Sequence, residues 1–200
     1  MAVDGNVAIP LRNSRIGVRV CPRYIRTQSS PTVTQLEDAK YLGRWYQMWS
    51  SESVGKWFEQ GAKCVTADYG LSGDGRITVL NSERVSSPTG HLKVIHGFVN
   101  KTATVGQLKV TLETVPFAAP YWVLKLGPPT FGANKQYQYS IVSDNIEGTL
   151  FVLARDRQVF QTQYEAEVLK YLSEQGFTTF YNKPIRTYQG SDCVYNSDSQ

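Results

Sequence analysis

Between residues 43 and 154 the chain is a run of short segments in which apolar and polar residues alternate with a period of two, each ended by a turn signal. This pattern limits the fold more than any other feature. Successive side chains of a strand point to opposite faces, so alternation marks a strand with one face buried. Eight segments can be read: 43–50, 63–69, 76–81, 91–99, 108–113, 121–126, 137–142 and 149–154. In the first, Trp45, Gln47 and Trp49 share one face. Turn residues separate the segments at Ser72-Gly73-Asp74-Gly75, Pro88-Thr89-Gly90, residues 100–106, Ala118-Ala119-Pro120 and residues 143–148. Connections this short make neighbours antiparallel. Eight strands are about the number that closes into a barrel able to hold one small ligand. The expected fold is all-β, an eight-stranded antiparallel up-and-down barrel.

The flanks read differently. Residues 34–42 suit one or two helical turns, with Thr34 as N-cap, Glu37 completing a capping box and Gly43 as the stop. After residue 154 the period becomes helical. Tyr164, Val168, Tyr171 and Leu172 recur at three- and four-residue spacing before Gly176. This predicts a C-terminal α-helix packed outside the barrel, followed by a short strand at 177–181. The predicted organisation is an extended N-terminal arm (1–33), a barrel plus helix (34–185) and a C-terminal tail (186–200).

Composition narrows the function classes. The net charge of +4 is spread without a Lys/Arg-rich run, so nucleic acid is not an expected partner. No stretch of about 18 apolar residues offers a membrane-spanning helix. Cys21, Cys64 and Cys193 lie far apart and the histidines are His91 and His96, a poor set for zinc and for any other metal. Nucleophile-elbow, Walker and dinucleotide-binding motifs are absent. The expectation is a non-enzyme with no required cofactor. The first 20 residues lack the apolar core of a signal peptide, so the chain is read either as cytosolic or as a secreted protein without its signal.

Gly43-Arg44-Trp45-Tyr46, following a helical turn, resembles the G-x-W signature of the lipocalin family. Leu153-Ala154-Arg155, at the end of the eighth strand, resembles that family's third conserved stretch. Its arginine covers the tryptophan at the closed end of the barrel. The segments 41–46, 64–69 and 119–124, and the order of elements from about residue 21 to 195, are most similar to lipocalins of the apolipoprotein D, bilin-binding and crustacyanin types. The resemblance implies structural roles for Gly43, Trp45 and Arg155. It also implies a Cys64–Cys193 disulfide and secretion. Two departures stand out. The second family motif, a Thr-Asp-Tyr turn, is replaced by Leu126-Gly127-Pro128-Pro129 and an insertion. Cys21-Pro22 matches the family's first cysteine, but Ser143-Asp144-Asn145 offers it no partner, leaving a free or intermolecular thiol.

The resemblance further implies binding, transport or sequestration of one small hydrophobic ligand: a lipid, fatty acid, retinoid, carotenoid or bilin, with a chromophore among the options. Strand alternation then assigns Ala67, Tyr69, Val79, Ile95, Val110, Leu112, Tyr121 and Phe151 to an apolar cup with a few hydroxyls and almost no charge. Small Ala67 and Gly97 are expected to leave it room. Trp57 and Phe58, in the loop at the open end, suit a lid or a weak membrane or protein contact. Two alternatives remain. One is a cysteine-dependent isomerase of the prostaglandin-synthase lipocalin type, although Cys64 faces outward by alternation. The other is a filled barrel whose loops bind a protein. Monomer and homo-oligomer are both compatible with the sequence. Asn100-Lys101-Thr102 is an N-glycosylation sequon.

Overall fold

The computed structural model describes residues 30–197. A short helix α1 (Asp38–Tyr41) leads into β1 (Gly43–Ser51), helix α2 (Glu52–Trp57), β2 (Ala62–Leu71), β3 (Ile77–Val85), β4 (Leu92–Lys101), β5 (Gln107–Leu112) and β6 (Ala119–Leu126). A small hairpin, β7 (Pro129–Phe131) and β8 (Gln136–Tyr137), precedes β9 (Tyr139–Ser143) and β10 (Leu150–Ala154). Strands β1 to β6, β9 and β10 are joined antiparallel in chain order, and β10 pairs back onto β1 through Tyr46↔Ala154 and Gln47↔Leu153. The result is a closed eight-stranded barrel in which every barrel strand has a neighbour on both sides.

Helical residues follow as α3 (Arg157–Val159), a π-helical turn (Phe160–Tyr164) and α4 (Glu165–Glu174). The side chain of Asp156 caps this run by accepting from the backbone N–H groups of Gln158 and Val159. Two apolar layers result. One fills the barrel around Trp45, Tyr69, Val79, Tyr121, Val123 and Leu153. The other lies between the outer wall and the helix, joining Met48, Ile141 and Leu150 to Phe160, Val168 and Leu172.

Two bulges correct the simple alternation. In β1, Gln47 pairs with Leu153 but Trp49 pairs with Val152, so Met48 is an extra residue. An extra residue flips the faces beyond it. Trp49 therefore does not share the inner face with Trp45. It lies on the helix side, where its Nε1 donates to Glu165 at 2.8 Å and Arg186 stacks on its ring at 4.5 Å. In β2, Cys64 and Val65 together oppose the single residue Glu83, and Cys64 takes a φ of +55°.

Several local expectations also change. The first helix is one turn beginning at Asp38, and Thr34 does not cap it. Val33 and Leu36 pack onto the barrel instead, and the Val33 N–H donates to the Val123 carbonyl, so the preceding chain stays extended. Ala119 and Pro120 belong to β6 rather than to a turn. Residues 177–181 are turns, tied by Asn182 Oδ1 accepting from the Thr179 N–H and hydroxyl. The additional strand comes later, as β11 (Pro184–Arg186) on the edge of β1.

Strands β1 and β2 pair only from Gly43 to Tyr46, then part. The segment after β11 fills the seam. The Cys64 N–H donates to the Tyr188 carbonyl, and Gln189 Nε2 donates to the Gln47 and Val65 carbonyls. Cys64 and Cys193 are disulfide-bonded across a sequence separation of 129, and Arg84 Nε holds the Val194 carbonyl at 2.7 Å. The region read as a tail is thus held against the wall as far as Asn196, whose Nδ2 donates to the Ser82 hydroxyl. Cys21 lies outside the described residues.

Closing so long a loop restricts the unfolded chain. Replacing both Cys64 and Cys193 by Ser is expected to lower stability by about 2–4 kcal/mol, measured by denaturant titration. Thiol titration of the unreduced, denatured chain should find one group, contributed by Cys21, or none if Cys21 joins two chains. Three free thiols would refute the bridge.

Candidate ligand-binding calyx

The closed end is built on Arg155. Its guanidinium lies 3.7 Å from the centre of the Trp45 ring, which has no exposed surface. Nη1 donates to the Arg44 carbonyl at 2.8 Å, and Nη2 donates to the carbonyls of Lys40, Tyr41 and Leu42 at 2.7–3.2 Å. One side chain therefore supplies partners for the C-terminal carbonyls of α1, as a helix end requires. Burial lowers the Arg155 pKa to about 10, which leaves it charged at neutral pH. Gly43 has a φ of +91°, and a Cβ there would stand 3.3 Å from Arg155 Nη1, so this position suits only glycine. The insertion that replaces the second motif covers the same end. Its Gln136 Nε2 donates to the Leu42 carbonyl at 2.7 Å, and Phe131 lies 6.0 Å from the guanidinium.

Above Trp45, tyrosines form a floor. The Tyr121 hydroxyl is 2.8 Å from those of Tyr41 and Tyr69, and Tyr41 is also 2.8 Å from the Ser140 hydroxyl. Burial raises the pKa values of all three phenols, so they are neutral hydroxyls at any physiological pH. Ala67, Tyr69, Val79 and Tyr121, all assigned to the cup from sequence, sit buried in or beside this layer. The volume expected beside Gly97 is not there. A Cβ on Gly97 would approach the Thr111 carbonyl to 2.3 Å and Leu112 Cδ2 to 2.7 Å. Glycine here lets neighbouring strands and Val79 pack closely.

The cup lies toward the opposite end. Directly paired residues share a face, so the row Trp45↔Ala67↔Asn81↔Ile95 and the row Tyr69↔Val79↔Gly97↔Leu112 point inward. Phe151, paired with Val142, shares that side. Ile95, Leu112 and Phe151 point toward the barrel axis yet remain part-exposed, as does Val110. Solvent therefore reaches the interior from the open end, above a filled lower half.

Polar groups line the mouth, contrary to the nearly uncharged cup expected. The uninterrupted register of β3 with β4 gives Glu83 and Lys93 the inward parity of Val79 and Gly97, and they form an ion pair at 2.9 Å. Gln47, 3% exposed, donates from Nε2 to Glu59 at 2.6 Å and to the Thr187 hydroxyl at 3.1 Å. Burial pushes the Glu59 carboxyl up to about 7, partly offset by the Gln47 hydrogen bond, while Glu83 raises it and Lys93 lowers it further. The sequence signal for Glu83 was its even spacing from Val79, hidden because the third strand was ended at residue 81. Glu59, in a loop, carried no such signal.

Trp57 and Phe58 end α2 at this rim. They are 79% and 61% exposed and do not fold over the cup as a lid. Asn100 is exposed near the end of β4, toward the closed end. Among the described residues no group of three or more His, Cys, Asp or Glu side chains could hold a metal ion, and no helix is long and apolar enough to cross a membrane.

A closed antiparallel barrel, plugged at one end by an arginine on a tryptophan and open at the other, defines a calyx. The lipocalin-like domain family matches residues 36–184, and the chain belongs to the lipocalin family. It is 32% identical over 155 residues to the outer membrane lipoprotein Blc of Vibrio cholerae, covering 76% of this chain and 83% of that protein. It is 35% identical over 98 residues to mouse apolipoprotein D, covering 48% of this chain and 49% of the relative, so the match spans about half the length of that protein. Among solved structures, lobster apocrustacyanin A1 superposes with a TM-score of 0.53 at 19% identity, covering 84% of this chain and 95% of that one. Japanin from Rhipicephalus appendiculatus, bound to cholesterol, superposes with a TM-score of 0.53 at 14% identity, covering 80% of this chain and all of that one.

Two outcomes test this geometry. Arg155→Ala removes the ring contact together with the hydrogen bonds to the carbonyls of Lys40, Tyr41, Leu42 and Arg44, so it should cost more than the ~1–2 kcal/mol of a cation–π contact alone. An unchanged denaturation midpoint would contradict the plug. For Glu59, a folded-state value near 7 against an ordinary carboxyl value means that the folded chain binds the extra proton between the two. This group's contribution is therefore most favourable below about pH 4.5 and is lost as pH rises toward 7, by up to about 3 kcal/mol. Glu59→Gln removes that dependence. Its stability relative to the parent should be higher at pH 8 than at pH 5, and equal differences at the two pH values would count against a buried carboxyl.

Proposed function

We propose that this lipocalin binds and carries, or sequesters, one small hydrophobic molecule in its calyx. The observation that carries this reading is the set of inward-facing yet part-exposed side chains, Ile95, Leu112 and Phe151, above the tyrosine floor of a closed barrel. Apolar surface removed from water there contributes about 25 cal/mol per Å², so a ligand burying roughly 300 Å² gains about 7–8 kcal/mol before the cost of association. Fatty acids, retinoids, carotenoids and bilins suit such a cup. Cholesterol in the structurally similar Japanin adds sterols to that range.

Binding is favoured over catalysis. Cys64, the thiol that an isomerase reading needs inside the cup, is bridged to Cys193 on the outer wall. A disulfide of this kind suits an oxidising compartment, which supports secretion. Exposed Trp57 and Phe58 at the rim support a weak contact with a lipid surface from which an apolar ligand could be collected. Exposure of Asn100 supports its use as a glycan site.

Intrinsic fluorescence tests the central claim, with Trp45 beneath the floor and Trp57 at the rim as reporters. Retinol, a carotenoid, biliverdin and a long-chain fatty acid are titrated in parallel. At least one should bind 1:1 at micromolar affinity or tighter, about −8 kcal/mol or better. Ile95→Trp, which fills the open part of the cup rather than the packed layer at Ala67, should abolish binding with the fold retained. Absence of any binding, or equal binding by the filled variant, would move the functional site to the loops.

A further inference from the structure

We propose that the calyx selects amphipathic ligands whose polar end is a cationic amine, seated between Glu59 and Glu83 at the mouth while the apolar body descends toward the tyrosine floor. This rests on the calyx reading above and specifies the class of ligand.

The charges at the mouth do not balance. Glu83 comes from β3, Lys93 from β4, Glu59 from the loop before β2 and Gln47 from β1, with Thr187 behind the amide. Lys93 is bonded to Glu83. The partner bonded to Glu59 is a neutral amide, although its carboxyl lies within the field of both Glu83 and Lys93. Two carboxyl groups thus share one ammonium in a partly desolvated site. Burial of an incompletely compensated charge is costly, and the carboxyl keeps its proton until near neutral pH. A ligand ammonium placed there supplies the missing charge, displaces that proton to solvent and gains a charge-assisted hydrogen bond.

The apolar surroundings fix the rest of the ligand. Below the carboxyls the inward rows continue as Ile95, Leu112 and Phe151, and then as the floor, whose hydroxyls are already satisfied by one another. Among the inward-facing residues named here, the charged side chains are Glu83 and Lys93 at the mouth, and the phenols of the floor are neutral. A ligand with a charged group at its deep end would meet no partner, whereas one with an apolar tail and a terminal amine matches both regions. A carboxylate head would face Glu59 and Glu83 with Lys93 already engaged.

Dodecylamine, dodecanol and dodecanoate share one apolar body and separate the head group from the cup. Calorimetric titration at pH 8 should show the amine binding at least tenfold tighter than dodecanoate, with dodecanol between them. Between pH 8 and pH 6 amine affinity should fall about tenfold, because one proton must then be displaced from Glu59, while dodecanol affinity stays constant. Glu59→Gln should erase both the amine preference and its pH dependence and leave dodecanol binding intact, which also reports that the cup is folded. Lys93→Met, leaving both carboxyls without their ammonium, should sharpen the amine preference and serves as a second variant. If none of the three ligands binds, the calyx reading itself fails. If dodecanol binds and the amine binds no tighter, or if Glu59→Gln leaves the amine preference unchanged, the calyx stands and the amine inference falls. Tightest binding of dodecanoate, lost in Lys93→Met, would make the mouth an anion site and overturn the proposal.

Discussion

The contact between Arg155 and Trp45 is the constraint on which the other parts hang. The arginine directly follows β10, the tryptophan lies in β1, and these are the strands whose pairing closes the barrel. The same guanidinium holds the carbonyls of α1, so the segment that crosses the closed end is fixed to the same point. An exposed cation over an aromatic ring contributes modestly. Here the cation is desolvated, hydrogen-bonded and seated where a glycine at 43 lets it approach. The plug, the floor above it and the register of the closing strands therefore depend on one another.

Closure alone does not make a binding site. A barrel of eight strands has an interior that side chains can fill, and the lower half of this one is filled. The tyrosine network shows how. Three phenols satisfy one another, so polar atoms can sit in the core without solvent. Higher up, β1 and β2 part and the C-terminal segment enters the seam. The disulfide to Cys193 anchors that segment. The extra residue in β2 is what turns Cys64 toward it.

The mouth has a different chemistry from the floor. Hydroxyls that are satisfied internally offer little to a ligand, whereas carboxyls that lack a full counter-charge do. Glu59 and Glu83 reach this place by unrelated routes, one from a loop and one by the parity of a long strand. An apolar cup provides affinity, and a small number of polar groups at its rim provides orientation and choice.

The amino-acid sequence by itself determined the architecture: the eight-stranded barrel and the outer helix. These follow from period-two alternation, turn residues and hydrophobic spacing, which are local properties of the chain. Family likeness added the pairing of Trp45 with Arg155 and the disulfide. The details of the cup depended on tertiary structure. Trp49 changed faces because an extra residue at Met48 reverses parity, and a bulge has no periodicity of its own to reveal it. Gly97 resembles space in the sequence but is a close contact between strands in the fold. Glu83 entered the mouth because β3 continues to Val85, four residues beyond its apparent end at residue 81, held there by pairing with β4. Glu59 met Gln47 only because a loop and a strand 12 residues apart converge at the open end. Burial and charge balance are properties of groups brought together by folding, and no local pattern of residues encodes them.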